Sequence, residues 1–288
     1  KTHMQRIHIK KKWLPYLLIL PTTVLICVFK IGPIVTSISE SVQSSKVDGF
    51  TMVNYKLLFS DKTFWNSTWV TLKMNLIMIP LQIVVAFVMA LLVNAKVKGI
   101  TVFRTIFFIP FCVSLTISTV IWRMLLNIND GVVNSFLGLF HIDRIGFLTD
   151  KRYALLSVIL ICSWRGCAYC MMFFLAGLKA VDTGLYEAAK IDGCGFFQRL
   201  FCITIPLLKH TFLFVLVANT TANFLLFTPV QIGTEGGPLG STNVLMYEAY
   251  KAAFSYSNRP RSSCIVVILL IIIGLICIVQ NKALAGEG

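Results

Sequence analysis

The chain has 288 residues, 57% of them hydrophobic and only 13% charged, with a mean hydropathy of +0.80. Soluble domains are about 45–50% apolar and about 25% charged, so a water-soluble core is excluded: there is too little polar surface to cover so much apolar side chain. The net charge of +14 does not point to nucleic acid either, because the basic residues fall between apolar runs and form no single stripe or arm.

A membrane helix needs about 20 mostly apolar residues. Six runs qualify, at about residues 13–39, 64–93, 105–126, 154–178, 207–232 and 263–280. The reading is an all-α integral membrane protein, residues 1–288 forming one six-span domain in the lipid bilayer. Lys1, Arg6, Lys10, Lys11 and Lys12 precede the first run, which places that end in the cytoplasm by the positive-inside rule. An even number of spans puts the C-terminus there too. The first run is too long for a signal peptide, carries Pro21 and Pro33, and shows no small-residue cleavage site, so it is expected to stay. The second run carries Asn75, Gln82 and, near its outer end, Lys73, which can snorkel.

The fourth run holds Trp164 and, near its middle, Arg165. A central Arg costs about 2.5–3.5 kcal/mol on insertion, while each Leu, Ile, Phe or Val returns roughly 0.3–0.6. The run therefore inserts, with Arg165 facing the bundle or a water-filled cavity, either as an anion contact or bonded to backbone carbonyls. Cys167-x-x-Cys170 has metal-like spacing but no second ligand pair. Most of the nine cysteines lie in apolar runs, where Cys is a small hydrophobe, so no metal site is expected.

Residues 179–206 are too polar to span and too apolar for a free loop. Asp182 or Thr183 can cap a short helix that Gly193 or Gly195 ends, and a second short helix through Phe197 and Phe201 runs up to Pro206. Two amphipathic helices on one face suggest a docking site for a soluble partner, or helices resting on lipid.

Within this segment Glu187-Ala188-Ala189, then Gly193, then Ile203-Thr204-Ile205-Pro206 resembles the EAA loop of ABC importer permeases. Ile205 stands where that family usually has Leu, and Asp182 where it usually has Pro. Further stretches are similar to the maltose-type, carbohydrate-uptake branch. They include Asn54-Tyr55, Phe103-Arg104-Thr105, Phe173-x-Leu175-Ala176-Gly177-Leu178, Gly236-Gly237-Pro238 with Ser241-Thr242, and Tyr250-x-x-Ala253-Phe254. The Gly-Gly-Pro segment is like the first of that branch's two paired permeases. The run Asn258-Arg259-Pro260-Arg261 is more basic than the pattern.

The resemblance implies a bacterial cytoplasmic-membrane subunit forming half of a pathway for a sugar or related polyol, phosphorylated or not. Its implied partners are a second permease, a cytoplasmic ATP-binding subunit dimer and an extracytoplasmic solute-binding protein. ATP-Mg would sit on the partner ATPase; this chain has no Gly-x-x-x-x-Gly-Lys-Ser/Thr loop, no cofactor is expected in it, and it should not be an enzyme by itself. Glu187, Ala188, Ala189, Gly193 and Pro206 would couple to the ATPase, with Gly193 at a positive-φ turn. Asn219 and Asn223, four apart on one helix face with Thr220 beside them, could bond sugar hydroxyls or glue helices together. Trp164, Asn75 and Gln82 are further pathway candidates. A secondary transporter or channel is the alternative, but no Asp or Glu lies within a run, and no internal repeat is visible. A membrane-embedded enzyme is disfavoured by the scatter of His3, His8, His141 and His210.

Overall fold

The computed structural model describes residues 14–44, 47–95 and 97–285. The basic N-terminal arm, Trp13, His3, His8 and Lys96 lie outside them. Helix α1 (Leu14–Ile26) continues through a π-turn (Cys27–Ile31) into α2 (Gly32–Ser41), and a short antiparallel pair follows, β1 (Gln43–Ser44) with β2 (Val47–Phe50). Next come α3 (Val53–Phe59), α4 (Lys62–Asn94), α5 (Ile100–Cys112), α6 (Leu115–Leu125), α7 (Val132–Gly138) and α8 (Ala154–Ala180). The second half has α9 (Thr183–Ile191), α10 (Phe196–Arg199), a π-turn (Leu200–Thr204), α11 (Ile205–Leu207) and α12 (Lys209–Phe224). Helices α13 (Thr228–Gly233) and α14 (Leu245–Tyr250), a π-turn (Lys251–Ser255) and α15 (Arg259–Ala285) complete it.

Four helical stretches are long and apolar enough to cross a membrane, or six if each of two bent pairs counts as one span. The architecture is therefore an all-α membrane bundle, with corrections to the expected boundaries. The third run is not one helix over 105–126: α5 starts at Ile100, and the chain turns by 98° between α5 and α6. Ser114 caps α6 by accepting from the Ile117 N–H at 3.3 Å, which makes this break a new helix start. The fifth run is shorter than 207–232. It begins at Lys209 after a 67° bend and ends at Phe224. Pro206 consequently lies inside the helix before the bend rather than at the start of the span.

The bundle is organised around α4 and α8, which pack along each other. On α4 the buried residues Phe64, Ser67, Thr71, Met74, Met78, Gln82, Ala86 and Ala90 recur every three or four positions, so one stripe faces inward while Leu72, Leu76 and Val84 point out. The opposite faces of α1 and α4 are large and apolar, as a lipid-facing surface must be. Asp61 caps α4 by accepting from the Thr63 N–H at 2.7 Å.

The basic run at 258–261 has a structural use. Arg261 pairs with Asp61 at 2.6 Å and with Glu248 at 3.0 Å, so the start of α15 is tied to the start of α4 and to α14. The Glu248 side chain is only 1% exposed and also receives Lys251 at 3.0 Å and the Asn243 amide at 2.9 Å. Burial alone would raise the Glu248 carboxyl, but the Asn243 hydrogen bond and the Lys251 and Arg261 cations hold it below the usual carboxylate range. Removing the charge leaves Lys251 without its carboxylate and Arg261 with Asp61 alone. Glu248→Gln is therefore expected to cost roughly 2–4 kcal/mol, read as a lower midpoint of thermal unfolding of the detergent-solubilised protein. An unchanged midpoint would show that the cluster does not hold this end of the bundle.

Candidate functional site

Two features of the bundle hold most of the candidate residues: the loop α9–α11 at one end and a polar layer in the middle. The loop is built by local rules. Asp182 caps α9 by accepting from the Gly184 N–H at 2.9 Å. At the other end the Cys194 N–H donates to the Ala189 carbonyl at 2.9 Å and the Gly193 N–H to the Lys190 carbonyl at 3.1 Å. These two bonds form a Schellman motif, with Gly193 at φ +77°. The Gln198 side-chain oxygen then accepts from the Gly195 N–H at 2.8 Å and starts α10.

The two arms are joined. Tyr186 Oη and Thr204 Oγ1 are 3.1 Å apart, and Thr204 Oγ1 donates to the Arg199 carbonyl at 3.2 Å. Ala189 is buried against the bundle, while Glu187 and Ala188 are exposed. Glu187 lines a hollow of about 550 Å³ with Tyr186, Lys190, Arg199 and Thr204. Ile191, Phe196, Phe197 and Phe201 are all more than half exposed. A polar loop that presents so much uncovered apolar side chain at a bundle end has the make-up of a docking surface.

In the polar layer, Asn223 on α12 donates to the Gln82 oxygen on α4 at 2.9 Å, and the Gln82 nitrogen reaches Ser163 Oγ on α8 at 3.4 Å. Gln82 is wholly buried. It fits because residue 166 is glycine: a Cβ there would stand 2.6 Å from the Gln82 nitrogen. One turn along, Gln280 on α15 donates to Thr220 Oγ1 at 2.8 Å. Asn219 is 2% exposed and its amide nitrogen has no partner within the described residues. Asn75 donates to the Thr71 carbonyl at 2.9 Å and borders a small hollow with Phe224 and Gln280. The structure thus gathers Asn219, Thr220, Asn223, Asn75 and Gln82 within one region. Trp164 is set apart, edge-on to Trp122 at 6.3 Å.

Arg165 bonds the backbone through one nitrogen: its Nε donates to the Val113 carbonyl at 3.3 Å, and its guanidinium carbon lies 5.3 Å from the Phe111 ring centre. Among the described residues no three His, Cys, Asp or Glu side chains converge on a metal-sized space, and Cys162, Cys167 and Cys170 are free and buried. Sequence reasoning missed Ser163, Gln280 and Glu248 as partners. The polar residues within apolar runs were the available signal for the first two.

The bundle, with its bent helices and exposed end loop, is that of a helical membrane protein. Residues 76–283 match the family of binding-protein-dependent transport system inner membrane components, and the chain belongs to that family. It is 30% identical over 279 residues to the sn-glycerol-3-phosphate transport system permease protein of Salmonella typhimurium, covering 95% of this chain and 94% of that one. A relative of the same description from Escherichia coli O6:K15:H31 is 29% identical over 284 residues, covering 96% of each. Among solved structures, a bacterial ABC transporter involved in import of the acidic polysaccharide alginate matches with a TM-score of 0.84 and 19% identity over 95% of both chains. The alginate transporter in complex with its pentasaccharide-bound periplasmic protein gives 0.85 and 21%, over 94% of this chain and 93% of that one. At those identities the two structures establish the fold alone. The protein is a transport subunit of the inner membrane and not an ATPase.

Gly193 gives a direct check of the loop geometry. An added Cβ would meet nothing within 4 Å, so the only penalty is the left-handed backbone. Gly193→Val is expected to cost on the order of 1–2 kcal/mol there. Amide exchange in α9 should speed up while exchange in α4 and α8 stays unchanged. No change in α9 would rule out the positive-φ turn.

Proposed function

We propose that this chain is one half of the translocation pathway of an ATP-driven importer for a carbohydrate or related polyol, delivered by an extracytoplasmic binding protein. A second homologous permease completes the pathway, and a dimer of ATP-binding subunits docks from the cytoplasm. The observation that carries the reading is the Schellman-terminated α9 with its exposed Glu187-Ala188 face and uncovered Ile191 and Phe197. A stiff, capped helix of this kind can transmit a push, and its small residues permit close approach of a partner. The functions of the similar proteins, sn-glycerol 3-phosphate transport and alginate import, support a polyhydroxy solute. In this reading both termini lie in the cytoplasm.

The pathway runs beside the polar layer. Asn223 and Asn75 spend amide donors inside the chain, Thr220 accepts from Gln280, and all three shape its wall; the half-buried Trp164 ring is left to meet a hydroxylated solute, as is the sealed, unbonded Asn219 nitrogen once a helix movement uncovers it. Coupling is assigned to Glu187, Ala188, Ala189 and Gly193, with Pro206 stiffening the return arm before the bend.

The test is co-purification. Glu187→Lys puts a cation where the partner is expected to offer one, so ATPase recovery with the permease should fall several-fold and uptake with it. Abundance of the permease should hold, because residue 187 is exposed outside the bundle core. Wild-type recovery and uptake in this variant would remove the coupling assignment.

A further inference from the structure

Arg165 lies near the middle of α8, a 27-residue span, yet it is only half-used. A guanidinium has five N–H donors. Nε is spent on the Val113 carbonyl and one face rests on Phe111. No hydrogen bond or ion pair within the described residues reaches the two terminal nitrogens. They are also absent from the sealed, unpartnered atoms, which include the Nε of Arg104 and of Arg261. Arg261 shows the contrast: its ends are taken up by Asp61 and Glu248. Arg165 is only partly buried, so its terminal nitrogens keep an open edge.

A cation at mid-span with an open edge cannot face hydrocarbon, because nothing there replaces its water. It must face a polar passage. Its anchoring is also directional: the Val113 bond and the Phe111 ring hold the plane of the group and leave the two terminal nitrogens as a flat, paired donor edge. That edge matches the two oxygens of a phosphate or carboxylate and has no comparable match on a neutral hydroxyl. The surroundings are aromatic. Tyr169, one turn along α8, is 5.7 Å from Phe111, and Trp164 adjoins Arg165 in sequence. Rings of this kind cover the C–H faces of a sugar or polyol while the cation takes its charge.

We propose that Arg165 is the specificity-determining residue of the pathway and that the solute is an anionic polyol or sugar bearing a phosphate or carboxylate. The inference rests on the importer reading and narrows its substrate class. A single cation suits transit: it holds an anion long enough to admit it and still lets it leave. A lipid headgroup has the same chemistry but sits at the membrane surface, well away from the middle of a spanning helix.

The experiment uses the complete importer, with its partner permease, ATPase and binding protein, in proteoliposomes. They are offered an equimolar mixture of sn-glycerol 3-phosphate, galacturonate oligomers, glycerol and neutral galactose oligomers, with accumulated solute measured by mass spectrometry. Only an anionic member should accumulate. R165Q, which can still donate to Val113 but carries no charge, should lower its uptake about ten- to a hundredfold through KM, with co-purification of the ATPase subunits checking that the complex still assembles. R165K, which keeps the charge without the paired edge, should lie between them, a gradation that a purely structural role would not give. Accumulation of a neutral member by the wild type, accumulation of nothing in the mixture, or undiminished anion uptake by R165Q overturns the proposal. Accumulation that needs no ATP would instead remove the importer reading and leave Arg165 as an anion reader.

Discussion

The side-chain amide of Gln82 is the constraint around which the spans are arranged. In hydrocarbon a polar group must find its partner inside the protein. Gln82 on α4 finds Asn223 on α12 and Ser163 on α8, so three spans meet at one depth with one relative rotation. Gly166 is part of the same constraint, since any side chain there would occupy the space of the amide. The apolar cores above and below this level are non-directional, and the amide gives them a register.

Both arms of the end loop run directly into helices held by that amide. Val181 and Asp182 alone separate α8 from α9, and α11 precedes α12 by one residue at the 67° bend. The Tyr186–Thr204 contact closes the two arms on each other. A displacement of α9 therefore moves α8 and α12 together. At the opposite end of α4 the Asp61–Arg261–Glu248 cluster fastens α15 and α14. Arg165 lies between these two ends, where it pins the break between α5 and α6 through the Val113 carbonyl. Arg165 is thus bonded directly to the sharpest bend in the bundle.

Much of this was legible in the sequence because membranes make strong demands on composition. Long apolar runs pointed to the helical bundle, and Asp182 and Gly193 marked the two ends of α9, since caps and positive-φ turns depend on local residues alone. The bends were not legible. The break after Cys112 sits within an apolar run, and only tertiary bonds to Val113 and the Ser114 cap reveal it. Asn223 illustrates a different limit: its spacing from Asn219 places both on one face, but whether that face meets solute or Gln82 depends on helix rotation. Arg261 appeared as an excess of positive charge; one partner, Glu248, is 13 residues away, but the other, Asp61, lies toward the far end of the sequence.

The central claim is that the Gln82–Asn223 bond sets the packing of α4 against α12. A double-mutant cycle tests it directly, using Gln82→Leu, Asn223→Leu and the pair, with unfolding free energy measured in mixed micelles by steric trapping or denaturant. Interhelical hydrogen bonds in membranes average about 0.6 kcal/mol and reach about 1.7. Because both groups are buried, the account predicts a coupling of roughly 0.5–2 kcal/mol, with the double variant less damaged than the sum of the two single ones. Strictly additive losses would mean that the two amides do not depend on each other, and would contradict it.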